Sequence, residues 1–151
     1  MHAPTVTQCH NWTLERPPVI LLDTHVLLWL DASDRRIGRK SRTLIDEHWT
    51  AGKVAVSAIS FWEIGRLNER GRIRLDARVQ DWRNQWLAAG IVELPLDGAT
   101  ATRALDLAGL PEDPADRFIT AAAIMHDAAL MTADEKLLAW PHSLKRHDAR
   151  K

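Results

Sequence analysis

A chain of 151 residues, 46% hydrophobic and 26% charged, is long enough to bury one core and has the composition of neither a disordered nor a membrane-embedded protein. A formal charge of zero excludes a surface coated in basic charge, and no apolar run approaches the roughly 20 residues of a transmembrane helix. The single cysteine, Cys9, excludes intrachain disulfides and thiolate metal clusters.

Residues 1–17 have no basic start followed by an apolar stretch, so they read as a flexible extension rather than a secretory signal, and the expected location is the cytoplasm. Val19 to Leu22 is uniformly apolar and short, as a buried parallel strand would be, and it ends on Asp23. Helices are expected over Thr24 to Leu30 and Gly38 to Trp49, then a strand over Val54 to Ser57. Two more helices follow: Ser60 to Arg70, closed by Gly71, and Asp76 to Ala89. Ile91 to Leu96 reads as a strand, Thr100 to Ala108 as a helix ending at Gly109, and Asp113 to His126 as a nearly all-apolar helix. Ala129 to Thr132 is the fourth strand, with a short helix from Glu135 to about Ala139. This alternation predicts an α/β domain over residues 18–144 with a parallel sheet covered on both faces, leaving residues 145–151 as a basic tail.

All strands of an open parallel sheet end at one edge, where ligands bind. Asp23 follows the first strand, Asp134 lies two residues past the fourth, and Glu63 and Asp116 fall in the first turns of helices that start at that edge. Each acid also has a capping explanation. Ser60-Phe61-Trp62-Glu63 fits a capping box, Asp113-Pro114-Ala115-Asp116 a helix start with Asp113 as N-cap, and Asp134 precedes the last helix. Caps do not explain why so many carboxylates converge. Gathered carboxylates repel, and an oxygen-only set without cysteine or paired histidines favours Mg²⁺ or Mn²⁺ as the compensating cation.

Four stretches carry a resemblance: Val19-Ile20-Leu21-Leu22-Asp23-Thr24-His25, Ser57-Ala58-Ile59-Ser60-Phe61-Trp62-Glu63-Ile64, Asp113-Pro114-Ala115-Asp116-Arg117-Phe118-Ile119 and Met131-Thr132-Ala133-Asp134-Glu135-Lys136-Leu137. In order and spacing they resemble the motifs of PIN domains, most closely VapC-type toxins of bacterial toxin–antitoxin pairs, over about residues 19–140. The resemblance implies a three-layer α/β/α fold with four or five parallel strands. It also implies a Mg²⁺- or Mn²⁺-dependent endonuclease for single-stranded RNA, silenced by a cognate antitoxin. By position Asp23, Glu63 and Asp116 match the metal-binding acids and Asp134 the more variable fourth. Thr24 and Thr132 match supporting hydroxyls, and Arg117 and Asp113 belong to the third motif, Asp113 first as a cap. For the closing strand the chain offers only Ser143 to Lys145.

Basic residues cluster at Arg35, Arg36, Arg39, Lys40 and Arg42 and again at Arg66, Arg70, Arg72, Arg74, Arg78 and Arg83, whereas Asp106 to Asp116 holds four acids and no base. Basic flanks around an acidic spot suit a polyanion, so Arg35, Arg36, Arg39 and Lys40 are expected on RNA, against the plainer reading as solvated helix faces. The tryptophan-rich face of Trp82 and Trp86 exceeds what one core is expected to use and suggests a homodimer. A dehalogenase-like phosphatase would need a second aspartate where His25 stands, and a receiver module an acid at the end of the third strand, where Leu96 stands. The remaining alternative is a PIN-like domain acting as a protein-binding or regulatory module, which a cleavage assay with and without metal separates.

Overall fold

In the computed structural model, which describes residues 18–151, each apolar run singled out above becomes a strand within two residues of its expected bounds. β1 is Ile20–Leu22, β2 Val54–Ser57, β3 Val92–Leu94 and β4 Ala129–Thr132, and β5 is Arg146–Asp148. All pair in parallel in the order β3-β2-β1-β4-β5. The seven helices among the described residues are α1 Thr24–Asp31, α2 Arg39–Thr50, α3 Ala58–Glu69, α4 Val79–Ala89, α5 Gly98–Arg103, α6 Pro114–Met125 and α7 Glu135–Ala139, with a 3₁₀ turn at Ala104–Asp106 after α5. None of these helices is long and apolar enough to cross a membrane. The flexible extension expected over residues 1–17 lies outside the described residues.

Strand alternation sorts the core into two layers. Leu21, Ala55 and Leu130 point to one face and meet Ile119 and Ala121 to Ala123 of α6, with Leu107 and Leu137. Ile20, Leu22, Val54, Val56 and Met131 point to the other and meet Val26 and Leu27 of α1, Ile45 of α2, Phe61 and Ile64 of α3 and Trp82 of α4. The expected three-layer α/β/α arrangement follows. The small alanines of α6 let that helix lie close against the sheet, and all three are fully buried.

Two expectations fail. Residues 145–151 are no tail, because β5 closes the sheet with Arg146, His147 and Asp148 all at most 5% exposed. An all-polar strand escapes a hydrophobic reading, yet each of its three side chains finds hydrogen-bond partners inside the protein. Arg146 donates to the carbonyls of Leu137 (2.6 Å) and His142 (2.8 Å), His147 Nε2 shares a hydrogen bond with Ser41 Oγ (2.8 Å), and Asp148 accepts from Arg150. The chain then meets the start of α2, whose Ser41 N–H donates to Lys151 O and whose Gly38 N–H donates to Ala149 O. The tryptophan face is likewise used within one chain. Trp82 is 5% exposed and packs edge-on against Phe61, while Trp86 packs edge-on against Trp82 and Trp49. That face therefore offers no argument for a second copy.

Candidate active site

Parallel pairing brings the ends of β1, β2 and β4 side by side, and the residues that leave those ends build the site. Asp23 turns the chain from β1 into α1. Its Oδ1 accepts from the N–H of Thr24 (2.8 Å) and its Oδ2 from the hydroxyl of Thr132 (2.7 Å) at the end of β4. With 3% exposure Asp23 is held in one orientation. Thr132 Oγ1 in turn accepts from the N–H of Asp134 (3.0 Å), so one hydroxyl fixes both the first acid and the loop carrying the fourth.

Glu63 stands in the second turn of α3, not the first. The helix begins at Ala58, directly after β2, with Ser57 as its cap through a bond from Ile59 N–H. This displaces the capping-box reading: Ser60 lies inside the helix and its fully buried hydroxyl faces Thr24 Oγ1 (2.9 Å). Thr24 donates its own proton to Glu63 Oε1. A chain Ser60–Thr24–Glu63 therefore joins the second acid to the residue beside the first. Burial pushes the Glu63 carboxyl above its ordinary range, opposed by the Thr24 hydroxyl and reinforced by Asp23 and Asp113.

The third segment folds as its sequence indicates. Asp113 caps α6 by accepting from Asp116 N–H (3.1 Å), and Pro114 takes the first helical position. Asp116, in the first turn of α6, is pushed up to about 7 by burial first and then by Asp23, Asp113, Asp134 and Glu63. Asp134 is also a cap, accepting from Lys136 N–H (2.9 Å), so for this residue the capping and site readings hold together. Arg117 serves the architecture, since its guanidinium donates to the carbonyls of Ala104 (3.0 Å) and Leu110 (3.0 Å) and holds the loop ahead of α6.

The expected RNA-binding cations have different surroundings. Arg36 forms a fork with Asp34 and lies over Trp29, whereas Arg39 and Lys40 line a separate cavity on α2 with Thr43 and Glu47. Arg35 is exposed.

Sequence reasoning passes over two contributors. His25 bridges the ends of β1 and β4, accepting from Ala133 N–H at Nε2 (3.0 Å) and placing Nδ1 3.7 Å from Asp23 Oδ2. Its position directly after the Asp-Thr pair is the available signal. Arg150 joins Asp148 of β5 to Glu135, both at 2.9 Å, and so braces the turn that follows Asp134. Nothing in a basic C-terminal run distinguishes such a brace from a tail.

Among the described residues no three acids, histidines or cysteines stand close enough together to hold a metal ion as they are arranged. The chemistry of the donors nonetheless suits a hard cation: they are all oxygen, lie at an open sheet edge, and include Asp116, whose carboxyl is pushed up by burial first and then by the neighbouring acids.

The PIN domain family model matches residues 20–141. Ribonuclease VapC22 of Mycobacterium tuberculosis is 38% identical over 124 residues, which span 82% of this chain and 92% of that protein. Among solved structures, DNA-bound VapBC of Salmonella typhimurium is similar with a TM-score of 0.64 at 16% identity, covering 85% of this chain and 96% of that one. VapBC2 of Rickettsia felis, bound to a promoter DNA fragment, is similar with a TM-score of 0.58 at 17% identity over the same shares. These two likenesses speak to the fold, while the motif order, the family match and the relative from Mycobacterium agree on lineage: the chain belongs to the PIN-domain family, on its VapC ribonuclease branch.

Proposed function

We propose that the protein is an endoribonuclease toxin that hydrolyses phosphodiester bonds of single-stranded RNA with Mg²⁺, or Mn²⁺ in its place, and that a cognate antitoxin silences it. The observation that carries the reading is the gathering of acids at one sheet edge, where Thr132 and Thr24 tie Asp23 and Glu63 into one network and Asp23, Asp113, Asp134 and Glu63 all bear on Asp116. A domain kept only to bind another protein has no need to gather such mutually repelling groups.

Asp23, Glu63, Asp116 and Asp134 would hold the ion, which would supply Lewis acidity for a water nucleophile and charge to offset that of the scissile phosphate. The chain's own residues prepare that site. Thr132 and the Thr24 N–H fix the two oxygens of Asp23, and Thr24 fixes Oε1 of Glu63. Asp116, its carboxyl pushed up to about 7 by burial and then by the neighbouring acids, would be the group in this set that a cation's charge helps most to ionise. An open edge would leave room beside these acids for water and for phosphate oxygens.

Glu63→Gln tests the reading at the residue where it differs most from a structural role. Glutamine keeps the size and can still accept from Thr24, so the fold should hold, while the lost charge should abolish cleavage of single-stranded RNA in Mg²⁺. Full activity in a folded Glu63→Gln protein would remove this residue from the site.

A further inference from the structure

A cleft of about 320 Å³ opens beside the acids, between the end of α1 and the segment joining α3 to α4, lined by His25, Trp29, Asp31, Arg36, Arg74 and Leu75 among others. Its volume sits at the low end of the roughly 300–1,000 Å³ typical of small-ligand clefts. His25 belongs to both places. One of its edges faces Asp23 and Ala133, and its ring packs edge-on against Trp29 with centroids 5.1 Å apart. The cleft is thus one side chain away from the first acid.

Arg36 gives the cleft its chemistry. Its Nε and Nη2 donate to the Asp34 carboxylate (3.1 and 2.7 Å), and its guanidinium carbon lies 4.7 Å from the Trp29 ring centroid. The side chain is pinned at both ends as a flat plate, with its charge already matched by Asp34. Such a group is poorly suited to clamp phosphate because its donors are engaged, and the other charges of the lining, Asp31 and Arg74, offset one another. A planar guanidinium is a stacking surface for an unpaired base, and apolar flanks such as Leu75 suit the base faces.

The geometry points to this cleft as a nucleobase subsite, in which one base of the single-stranded RNA stacks on the Arg36–Trp29 pair and so sets which phosphate reaches the acids. The inference rests on the ribonuclease reading above and adds a position at which the base, not the backbone, is held. His25 links the two: the residue that touches the base cleft also braces the ends of β1 and β4.

The test uses the full chain and a short single-stranded RNA of mixed sequence that the wild-type protein cleaves. Binding is measured in an Asp23→Asn background, where the RNA stays intact, for the parent RNA and for versions lacking one base at each position in turn. One position within a nucleotide or two of the cut should stand out, with affinity falling roughly 10- to 100-fold on loss of that base, the range of a single base stack. In Arg36→Ala the parent RNA should bind as weakly as that abasic version, and the position should become indifferent. Arg36→Lys should behave like Arg36→Ala, because charge without the plane does not stack. Leu75→Trp, which fills the cleft, should give the same loss; if it does not fold, the two variants at the exposed Arg36 decide alone.

A flat abasic scan on an RNA that is cleaved overturns the subsite and leaves the ribonuclease reading intact. Unchanged RNA binding in Leu75→Trp together with lost binding of the antitoxin would make the cleft a polypeptide site and also overturn it. A wild-type protein that cleaves no RNA with either ion overturns both.

Discussion

Replacing Thr132 by valine removes one hydroxyl and almost nothing else, and that hydroxyl holds two parts of the site. It donates to Asp23 Oδ2 at 2.7 Å and accepts from Asp134 N–H at 3.0 Å, at a residue with no exposure. A hydrogen bond to a charged partner contributes about 1.5–3 kcal/mol, and the N–H of Asp134, only partly buried, recovers water for its lost partner at little further cost. The expected destabilisation is about 2–3 kcal/mol. For a domain of this size that corresponds to roughly 4–12 °C in melting temperature. Losing an orienting partner of a metal-binding carboxylate typically costs about 10- to 100-fold in metal affinity or activity. Thermal melts and initial rates of RNA cleavage, with Mg²⁺ titrated, measure both effects. Thr132→Ser should restore activity and most of the stability, since serine keeps the hydroxyl. A Thr132→Val protein with wild-type stability and Mg²⁺ dependence would refute the assignment of Thr132 as the residue that orients Asp23.

Asp116 predicts a pH dependence of the metal-free protein. Its carboxyl moves from 3.8 to about 7 on folding, so the folded state binds the proton more tightly, and stability from this group is complete below about 4 and lost as pH rises to about 7. Melts in EDTA should therefore show Asp116→Asn flattening the fall in stability across that window and melting above the wild type at pH 8; identical pH profiles would contradict this. Gly38→Ala should destabilise, because a Cβ there would lie 1.9 Å from Lys151 O and 2.5 Å from Arg150 O, backbone that yields only if the chain after β5 moves. Gly98→Ala, with nothing within 4 Å, serves as the near-neutral control, and equal melting of the two variants would show that the segment after β5 does not pack as described. Arg146→Met should cost about 2–4 kcal/mol, by leaving the carbonyls of Leu137 and His142 without their donor inside the protein, and chemical denaturation measures it.

The legible and illegible parts of the sequence divide along physical lines. β1, β2 and β4 are uniformly buried apolar runs, which a hydrophobic pattern exposes directly, and the parallel register then carries Asp23 and Asp134 to one edge without further information. The start of α6 is equally plain, since an aspartate cap followed by proline has few other uses. β5 is hidden because its residues are Arg, His and Asp, and their burial depends on partners outside the strand, Leu137 before it and Ser41 far along the chain. The start of α3 is easily misplaced because two serines, Ser57 and Ser60, compete as caps. The choice falls on Ser57 because β2 leads straight into the helix, which frees Ser60 to meet Thr24. Trp82 and Trp86 read as surplus because their partners, Phe61 and Trp49, come from two other helices. The basic cluster looks continuous in sequence, but the turn after α1 gives Arg36 its own partners and leaves Arg39 and Lys40 on α2.

The central claim is that carboxylates at the sheet edge hold the ion that cleaves RNA, and Asp23 is where it is most exposed to test. Cleavage of a single-stranded RNA should be followed for the wild type in Mg²⁺, the wild type in EDTA with Mg²⁺ or Mn²⁺ restored, and Asp23→Asn in Mg²⁺. Asparagine keeps the shape of the side chain; its oxygen can still accept from Thr24 N–H and its amide can donate to the Thr132 hydroxyl, so the variant should fold, with part of the stability that Thr132 gives Asp23 lost, while cleaving nothing. Wild-type activity should vanish in EDTA and return with either ion. Cleavage that persists at the wild-type rate in EDTA, or in a folded Asp23→Asn protein, would contradict the account.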